Sequence, residues 1–438
     1  MTTAIIVGGG MAGVACASEL ADHDVDVTLF DRHNYTQFQP LLYQVASSQL
    51  PAEDVARPLA TAFKGQDRVV TVTAEVTGID LATRTVTTTD GGTTADYTAD
   101  YLVVAAGSQA NFFGVPGAAE HSFPLYTVPD ARRLRSHLRD RLRSLCTPAT
   151  GADEAGGAGA AQAPYTVIVC GGGPTGVETA GALAELFSAL ADQGRLQAPA
   201  TVRLVDHGHA LLKPFTDKSH AYALEKLTEK GVEVTFGVAV SGVQADTATL
   251  SDGTTVDTDT VIWGGGISGP PILSTAGVTL GHAGRLDVAA DLTVPGCPGV
   301  YAIGDAANIP DGDGHALPQL GSVAQQSGKW AGKNIVAERK GAARTPFHYH
   351  DKGIMAMIGR NAAVSEIGKH RHHVEGPLAY VAWLGLHAVL LSGMHSQVDA
   401  FLNWADDYFH HDRSADLELD DSVGRIAWAD DAADAPKL

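Results

Sequence analysis

The stretch VIVCGGGPTGVETAGALAEL (167–186) decides the fold. An apolar run typical of a buried strand leads into Gly171, Gly173 and Gly176, which have G-x-G-x-x-G spacing, and a helical pattern follows. The first glycine permits a tight turn, the second lets the backbone approach a pyrophosphate, and the third packs helix against strand. The next apolar run, TVRLVD, ends on Asp206, where a carboxylate can bind both ribose hydroxyls. This order predicts a unit that binds a dinucleotide.

The same signal opens the chain. AIIVGGGMAGVACASEL (4–20) contains Gly8, Gly10 and Gly13 at the same spacing, and VDVTLFD then ends on Asp31. A lone glycine pattern is weak evidence, but two copies in the full strand–turn–helix–strand–acid context are strong evidence. We therefore predict an α/β fold with two interlocked Rossmann-like dinucleotide-binding domains, followed by a C-terminal segment with amphipathic helices.

Other residues indicate which dinucleotide each copy binds. The Asp206 carboxylate would repel the 2′-phosphate of NADP, and no Arg follows it in DHGHALL, so NADH is favoured in the second copy. GCPGVYAIGDAA (296–307) is a strand leading into Asp305, and TADYLVVAAG is a strand ending at Gly107. In flavoproteins with two dinucleotide domains, a returning strand of the former type places its Asp on the ribityl chain. We therefore expect FAD in the first copy.

Composition excludes several classes of function. A net charge of −20 argues against a nucleic-acid partner, because phosphate binding needs a basic surface. The four cysteines form no CxxC pair, so we expect neither a disulfide framework nor a metal site. HRHH (370–373) fits no standard zinc spacing, and we assign no metal to it. With no secretory signal in the sequence, the expected location is the cytoplasm.

With these motifs, the chain resembles the type II NADH dehydrogenases, which are single-chain, non-proton-pumping NADH:quinone oxidoreductases. The resemblance covers roughly residues 3–410. Its specific blocks are NYTQFQPLLYQVASSQLPAEDVARPL (34–59), the second glycine block, YAIGDAA (301–307), LPQLGSVAQQSGKWAGKNI (317–335) and DKGIMAMIGRNAAVSEIG (351–368). The resemblance implies that FAD accepts a hydride from NADH and passes two electrons to a quinone, and that the protein is a homodimer.

The resemblance also suggests catalytic residues. Glu178 matches a family position beside the flavin and nicotinamide, where it either positions the nicotinamide or relays protons. Gln325 and Gln326 match amides near the flavin ring and the quinone; alternatively, they bond the flavin edge or the local backbone. The chain departs from the family pattern at Gly321, where the family has Gln.

We expect three regions. Residues 1–120 and 285–340 would bind FAD, residues 121–284 would bind NADH, and residues 341–438 would contact a membrane or form a dimer surface. A helix is expected over 127–145, capped by Thr127, and a linker over 147–164.

Two interpretations of the C-terminal segment stay open. AYVAWLGLHAVLL (379–391) is apolar for 13 residues, short of the ~20 that span a bilayer. VDAFLNWADDYF (398–409) has a helical apolar face, but its polar face and the tail after it are acidic, whereas membrane-surface helices are typically basic. The resemblance favours peripheral contact with the cytoplasmic face of the membrane; the alternative is a packing or dimerisation helix.

Three rival functions share the two dinucleotide-binding motifs. A sulfide:quinone reductase needs paired redox cysteines, which the cysteine spacing does not suggest. A soluble NADH oxidase or diaphorase with a non-quinone acceptor fits the acidic tail and Gly321. An NADH-sensing flavoprotein would keep the same nucleotide motifs but turn over slowly.

Overall fold

The computed structural model describes residues 1–90, 92–146, 163–312, 314–368, 370–391 and 404. Most of the expected linker, all but one residue of the helix expected over 398–409, and the acidic tail lie outside these residues. The described residues form ten α-helices: α1 (Met11–Ala21), α2 (Leu42–Ala46), α3 (Ala52–Val55), α4 (Leu59–Ala62), α5 (Ala118–His121), α6 (Val128–Leu145), α7 (Pro174–Asp192), α8 (Asp217–Glu229), α9 (Gly321–Arg339) and α10 (Pro377–Leu390).

Twenty-five strands lie in the same part of the chain. They are β1 (Thr2–Val7), β2 (Val25–Asp31), β3 (Tyr35–Gln37), β4 (Ala56–Pro58), β5 (Val69–Thr73), β6 (Glu75–Asp80), β7 (Thr85–Asp90), β8 (Thr93–Thr98), β9 (Tyr101–Val104), β10 (Gln109–Ala110), β11 (Ser122–Pro124), β12 (Tyr165–Cys170), β13 (Ala200–Asp206), β14 (Glu233–Phe236), β15 (Val240–Val243), β16 (Thr247–Leu250), β17 (Thr255–Asp257), β18 (Val261–Trp263), β19 (Ile267–Ser268), β20 (Leu286–Asp287), β21 (Val300–Ala302), β22 (Ala307–Asn308), β23 (Gly353–Gly359), β24 (Ala362–Ile367) and β25 (His372–Glu375).

Two five-stranded parallel sheets organise the molecule. The first has the order β21-β9-β1-β2-β5, and the second has the order β11-β18-β12-β13-β14. Strands β1 and β12 lie at the centre of their sheets, where apolar side chains are buried on both faces, as parallel sheets require. A helix follows each of these strands, so the predicted fold class, with two Rossmann-like units, is confirmed.

The internal repeat extends beyond the glycine turns. In each half, a three-stranded antiparallel sheet is inserted between two strands of the parallel sheet: β6-β7-β8 lies between β5 and β9 in the first half, and β15-β16-β17 lies between β14 and β18 in the second. The antiparallel pair β10–β19 then joins segments that flank the second unit. The chain thus leaves the first sheet after β9, builds the second, and returns to complete the first with β21.

Helix α6 illustrates how local sequence sets an element boundary. Thr127 is the N-cap, and its side chain and that of Asp130 form a reciprocal capping box. The predicted cap is confirmed. The leucine stripe of the helix is buried and faces the core: Leu134, Leu138, Leu142 and Leu145.

Close helix packing joins α9 to the first half of the chain. A methyl group on Gly328 would lie 2.1 Å from the Ala12 carbonyl oxygen of α1, and one on Gly332 would lie 2.8 Å from Glu19 Cβ. Only glycine permits such an approach at these two positions. Residues 321–339 therefore pack directly behind the first glycine turn.

The C-terminal strands form an antiparallel sheet, β23-β24-β25, against the second half. A methyl group on Gly181 of α7 would lie 1.9 Å from the Ile358 carbonyl oxygen of β23. A polar contact also joins the two parts, because buried Glu366 accepts hydrogen bonds from Thr216 and Ser219 at the start of α8. The C-terminal sheet thus completes the core of the second unit.

Candidate active site

The two glycine turns have the same geometry. Gly8 and Gly171 have φ of +109° and +104°, in the region that favours glycine. A Cβ at Gly8 would lie 2.2 Å from the Ala105 carbonyl oxygen, and one at Gly171 would lie 2.4 Å from that of Gly264. Each turn therefore passes directly over the end of a neighbouring strand.

The second and third glycines of the two G-x-G-x-x-G motifs divide into a packed pair and an open pair. A Cβ at Gly13 would lie 1.9 Å from the Gly8 carbonyl oxygen, and one at Gly176 would lie 1.8 Å from that of Gly171. These third glycines bring helix and strand into contact, as predicted.

Gly10 and Gly173 are the open pair, because a Cβ there would meet nothing within 4 Å. They are the N-caps of α1 and α7, neither helix has a side-chain cap, and neither has an acid in its first turn. The N–H groups of both first turns therefore face open space. That arrangement fits the pyrophosphate of a dinucleotide.

Asp31 and Asp206 occupy equivalent places at the ends of β2 and β13. Asp31 accepts hydrogen bonds from the N–H groups of Gly9 (2.6 Å) and His33 (2.8 Å). Asp206 accepts them from Gly172 (2.6 Å) and Gly208 (2.6 Å). Both carboxylates thus lie beside their glycine turns, where the sequence pattern places them.

Asp305 lies in a single turn of 3-10 helix after β21. Its Oδ2 accepts hydrogen bonds from the Ser108 hydroxyl (3.2 Å) and the Tyr126 hydroxyl (3.1 Å). Gly107 adjoins this cluster, since a Cβ there would lie 3.6 Å from the Tyr126 hydroxyl. Burial raises the pKa of Asp305, and the two hydroxyls oppose this in part. Sequence reasoning missed Ser108 and Tyr126, which lie 197 and 179 residues from Asp305.

Glu178 is a buried acid on α7. Its Oε1 accepts a hydrogen bond from the Met357 N–H of β23 (3.1 Å). Burial raises the pKa of Glu178 to about 8, and the Met357 N–H and the nearby Trp383 indole offset this only in part. The Trp383 Nε1 itself is buried and does not meet hydrogen-bond geometry. The environment therefore favours a protonated Glu178 at neutral pH.

A small polar cavity adjoins Glu178. Its volume is about 20 Å³, the size that holds one water molecule, and it is lined also by Tyr43, Gln44, Glu185 and Arg360. The Trp404 indole donates to Gln44 Oε1 (2.9 Å), and Gln44 Nε2 donates to the Tyr43 hydroxyl (3.0 Å). Tyr43, Gln44 and Trp404 are functional candidates that the sequence pattern did not single out.

Gln325 and Gln326 do not line this cavity. Gln325 is exposed on α9. Gln326 is paired with the backbone of His350, donating from Nε2 to its carbonyl (3.2 Å) and accepting from its N–H at Oε1 (3.0 Å). This pairing matches the alternative in which the amide bonds the local backbone. At Gly321, a Cβ would lie 2.9 Å from Met11 Sδ, so the methionine occupies space beside the start of α9.

All four cysteines are buried and none forms a disulfide: Cys16, Cys146, Cys170 and Cys297. Burial raises the pKa of the Cys16 and Cys170 thiols to about 12, which keeps them protonated and unreactive. Within the described ranges, no group of three or more His, Cys, Asp or Glu side chains is placed to hold a metal ion.

Helix α10 presents an unusual apolar surface. Ala379, Tyr380 and Trp383 are buried. Other large apolar side chains of the helix are exposed: Leu378, Val381, Leu386, Val389 and Leu390. In the part of the chain that the structure describes, no helix combines the length and the apolar character that a membrane span requires.

Comparison with known proteins places these features in a family. A family model for pyridine nucleotide-disulphide oxidoreductases matches residues 2–328. A type II NADH:quinone oxidoreductase, Ndh of Mycobacterium tuberculosis, is 33% identical over 414 residues, and the match covers 91% of this chain and 86% of that protein. The chain belongs to the type II NADH:quinone oxidoreductase family. The family is FAD-dependent, so the predicted resemblance and the expected cofactors, FAD and NADH, are confirmed.

Solved structures agree with this family in fold. The structure of NDH2 from Plasmodium falciparum in complex with NADH superposes with a TM-score of 0.83 at 17% identity, covering 93% of this chain and 98% of that one. The sulfide:quinone oxidoreductase of Aquifex aeolicus gives a TM-score of 0.70 at 18% identity, covering 93% and 95%. The fold alone thus does not separate the two activities, whereas the four buried, unpaired cysteines argue against the second.

Proposed function

We propose that this protein is a non-proton-pumping NADH dehydrogenase that transfers a hydride from NADH to FAD and then two electrons to a quinone. The observation that carries the proposal is the pair of glycine turns with matching geometry. The helix that follows the second turn carries the buried acid Glu178, and the chain belongs to this family. Bound FAD supplies the two-electron chemistry between the substrates.

The FAD-binding part is assigned to residues 1–120 and 285–340. Gly8, Gly10 and Gly13 would receive the pyrophosphate, and Asp31 would bind the ribose. Asp305 and Gly107 support this assignment because they lie near the same end of the first sheet. The close packing of α9 on α1 adds residues 321–339 to that part.

The NADH-binding part is assigned to residues 121–284, which contain every strand of the second parallel sheet. Gly171, Gly173 and Gly176 would receive the pyrophosphate of NADH. Asp206 would accept hydrogen bonds from the ribose hydroxyls, and its negative charge opposes a 2′-phosphate. NADH is therefore favoured over NADPH as the electron donor.

Glu178 is proposed to hold a proton near the reaction. Reducing a quinone to a quinol consumes two electrons and two protons, and NADH contributes both electrons with only one proton. A second proton comes from solvent in each turnover. An acid with a pKa of about 8 beside a water-sized cavity is suited to relay it. The alternative role, positioning the nicotinamide, rests on the same location.

Quinone binding is assigned to the neighbourhood of α9. Gln325 is the candidate there, because it matches a family position and its side chain is exposed. Gln326 would act by holding the His350 segment in place, since both ends of its amide are engaged there. Gly321 and the pairing of Gln326 with the His350 backbone favour a second candidate function, a soluble NADH oxidase or diaphorase with a non-quinone acceptor.

Peripheral contact with the cytoplasmic face of a membrane is proposed through the exposed apolar side of α10. The described part of that helix carries no charged residue that would oppose burial in the interface. A homodimer is proposed as well, and this rests on the family resemblance alone.

An anaerobic two-step titration tests the proposal. NADH should bleach the flavin absorbance, NADPH should do so far more slowly, and a short-chain quinone should then restore the absorbance rapidly. Bleaching without recovery on quinone would retain both cofactor assignments and reject the quinone site. Failure of NADH to bleach the flavin would reject the dehydrogenase assignment itself.

A further inference from the structure

Asp305 is held from one side by two hydroxyl groups. Tyr126 and Ser108 both donate to Oδ2, at 3.1 and 3.2 Å. No side chain of the described residues donates a hydrogen bond to Oδ1. The two donors therefore fix the rotation of the carboxyl group and leave one oxygen as a free acceptor.

Tyr126 is itself fixed by its backbone. Its carbonyl accepts from Gln37 Nε2 (3.1 Å), and its N–H donates to Asp130 Oδ2 (3.3 Å). Gln37 also accepts from the Val128 N–H at Oε1 (2.9 Å). The residue is thus anchored both to β3 and to the capping box of α6, so its hydroxyl reaches Asp305 from a rigid base.

We propose that Tyr126 is a positioning residue for FAD, which holds Asp305 so that its second carboxylate oxygen accepts a hydroxyl of the flavin's sugar-alcohol chain. The inference rests on the FAD assignment above. A carboxylate in a partly buried place needs donors to remain ionised, and burial here raises the pKa of Asp305. Tyr126 supplies one donor and leaves the ligand-facing oxygen free.

Removal of this hydroxyl should weaken FAD binding without unfolding the protein. In Tyr126→Phe, we expect FAD affinity to fall about tenfold, because a hydrogen bond to a charged group is lost. Affinity is measured by removing FAD, titrating it back and following the quenching of its fluorescence. Tyr222→Phe, which removes a tyrosine hydroxyl from α8, is the matched control and should bind FAD as the wild type does.

A double-mutant cycle distinguishes positioning from a general structural effect. If Tyr126 acts through Asp305, Tyr126→Phe should add little to the loss already caused by Asp305→Asn. Full additivity of the two losses would overturn the proposal, and so would unchanged affinity in Tyr126→Phe. Should Tyr126→Phe fail to fold, Gln37→Met releases the backbone of Tyr126 instead, and its loss of affinity should likewise vanish in the Asp305→Asn background.

The same titration separates this inference from the proposed function. A wild type that binds no FAD would reject the cofactor assignment and the inference together. A wild type that binds FAD, with Tyr126→Phe binding it equally well, would reject the inference alone.

Discussion

Glu178 and Met357 are joined by a hydrogen bond of 3.1 Å, although 179 residues separate them in the chain. The bond runs from a backbone N–H of the C-terminal sheet to a carboxyl group on the second glycine helix. It is too weak to offset the burial of that carboxyl, whose pKa rises to about 8. The charge of Glu178 therefore depends on how closely the C-terminal sheet covers it.

This raised pKa predicts a specific dependence of stability on pH. Above pH 4.5 the unfolded chain loses the Glu178 proton, whereas the folded protein keeps it up to about pH 8. Through Glu178, the folded state binds more protons over this range, so the contribution of Glu178 to the free energy of unfolding falls as pH rises from about 5 to 8. In the wild type, this fall in the free energy of unfolding should amount to about 3 to 5 kcal/mol, and it should be absent in Glu178→Gln. Urea unfolding of both proteins between pH 5 and 9 measures it, with exposed Glu120→Gln as the control. Parallel stability curves for wild type and Glu178→Gln would contradict the prediction.

The two equivalent aspartates should separate the two nucleotides. Asp206→Asn should raise the KM for NADH about tenfold or more and reduce the preference over NADPH, because a charged acceptor is lost. Asp31→Asn should instead weaken FAD retention and leave the KM for NADH close to normal in the FAD-loaded enzyme. Each variant is the control for the other, since the two carboxylates make equivalent backbone contacts. An exchange of the two effects would show that the nucleotide assignments are reversed.

Helix α7 should tolerate no side chain at its contact with β23. Gly181→Ala places a methyl group 1.9 Å from the Ile358 carbonyl oxygen, so backbone must move at a cost of about 3 kcal/mol. Gly385→Ala is the matched control within a helix, because a Cβ there meets nothing within 4 Å. It should stabilise the protein by up to about 1 kcal/mol through helix propensity. Equal melting temperatures for the two variants would argue against the close contact.

The apolar side of α10 should determine vesicle binding. Val381→Glu and Val389→Glu, made together, should lower co-sedimentation with phosphatidylcholine vesicles at least about tenfold, since each removes an apolar side chain from the interface. Neutral vesicles are chosen because the chain carries a net charge of −20. Val70→Glu, at another exposed valine on β5, is the control and should bind like the wild type. If all three proteins fail to sediment with vesicles, membrane contact through this helix is wrong.

The sequence predicted those parts of the site that depend on local geometry. The glycines of the two motifs that begin at Gly8 and Gly171 are required by tight turns of a few residues. The capping box of Thr127 involves only Asp130, three residues away. Asp31 and Asp206 follow because each ends the strand next to its turn. In each case, the interacting residues belong to one strand–turn–helix unit.

Contacts between distant segments were not predictable in the same way. The Tyr126–Asp305, Glu178–Met357 and Gln326–His350 pairs depend on how separate sheets and helices pack, which no periodic pattern records. The direction of the Glu178 pKa likewise depends on a cover supplied by β23 and α10. Sequence analysis could nominate Glu178 but not decide between a helix-stabilised anion and a buried neutral acid.

The contact between Gly181 and the Ile358 carbonyl bears on how such proteins can be recombined. A chimaera that joins the nucleotide-binding regions of one relative to the C-terminal sheet of another would place two backbones in contact that had never been fitted to each other. The crossover point should therefore lie elsewhere, so that α7 and β23 come from one parent. For protein engineering, the C-terminal sheet is inherited with the second nucleotide unit and is not an interchangeable module.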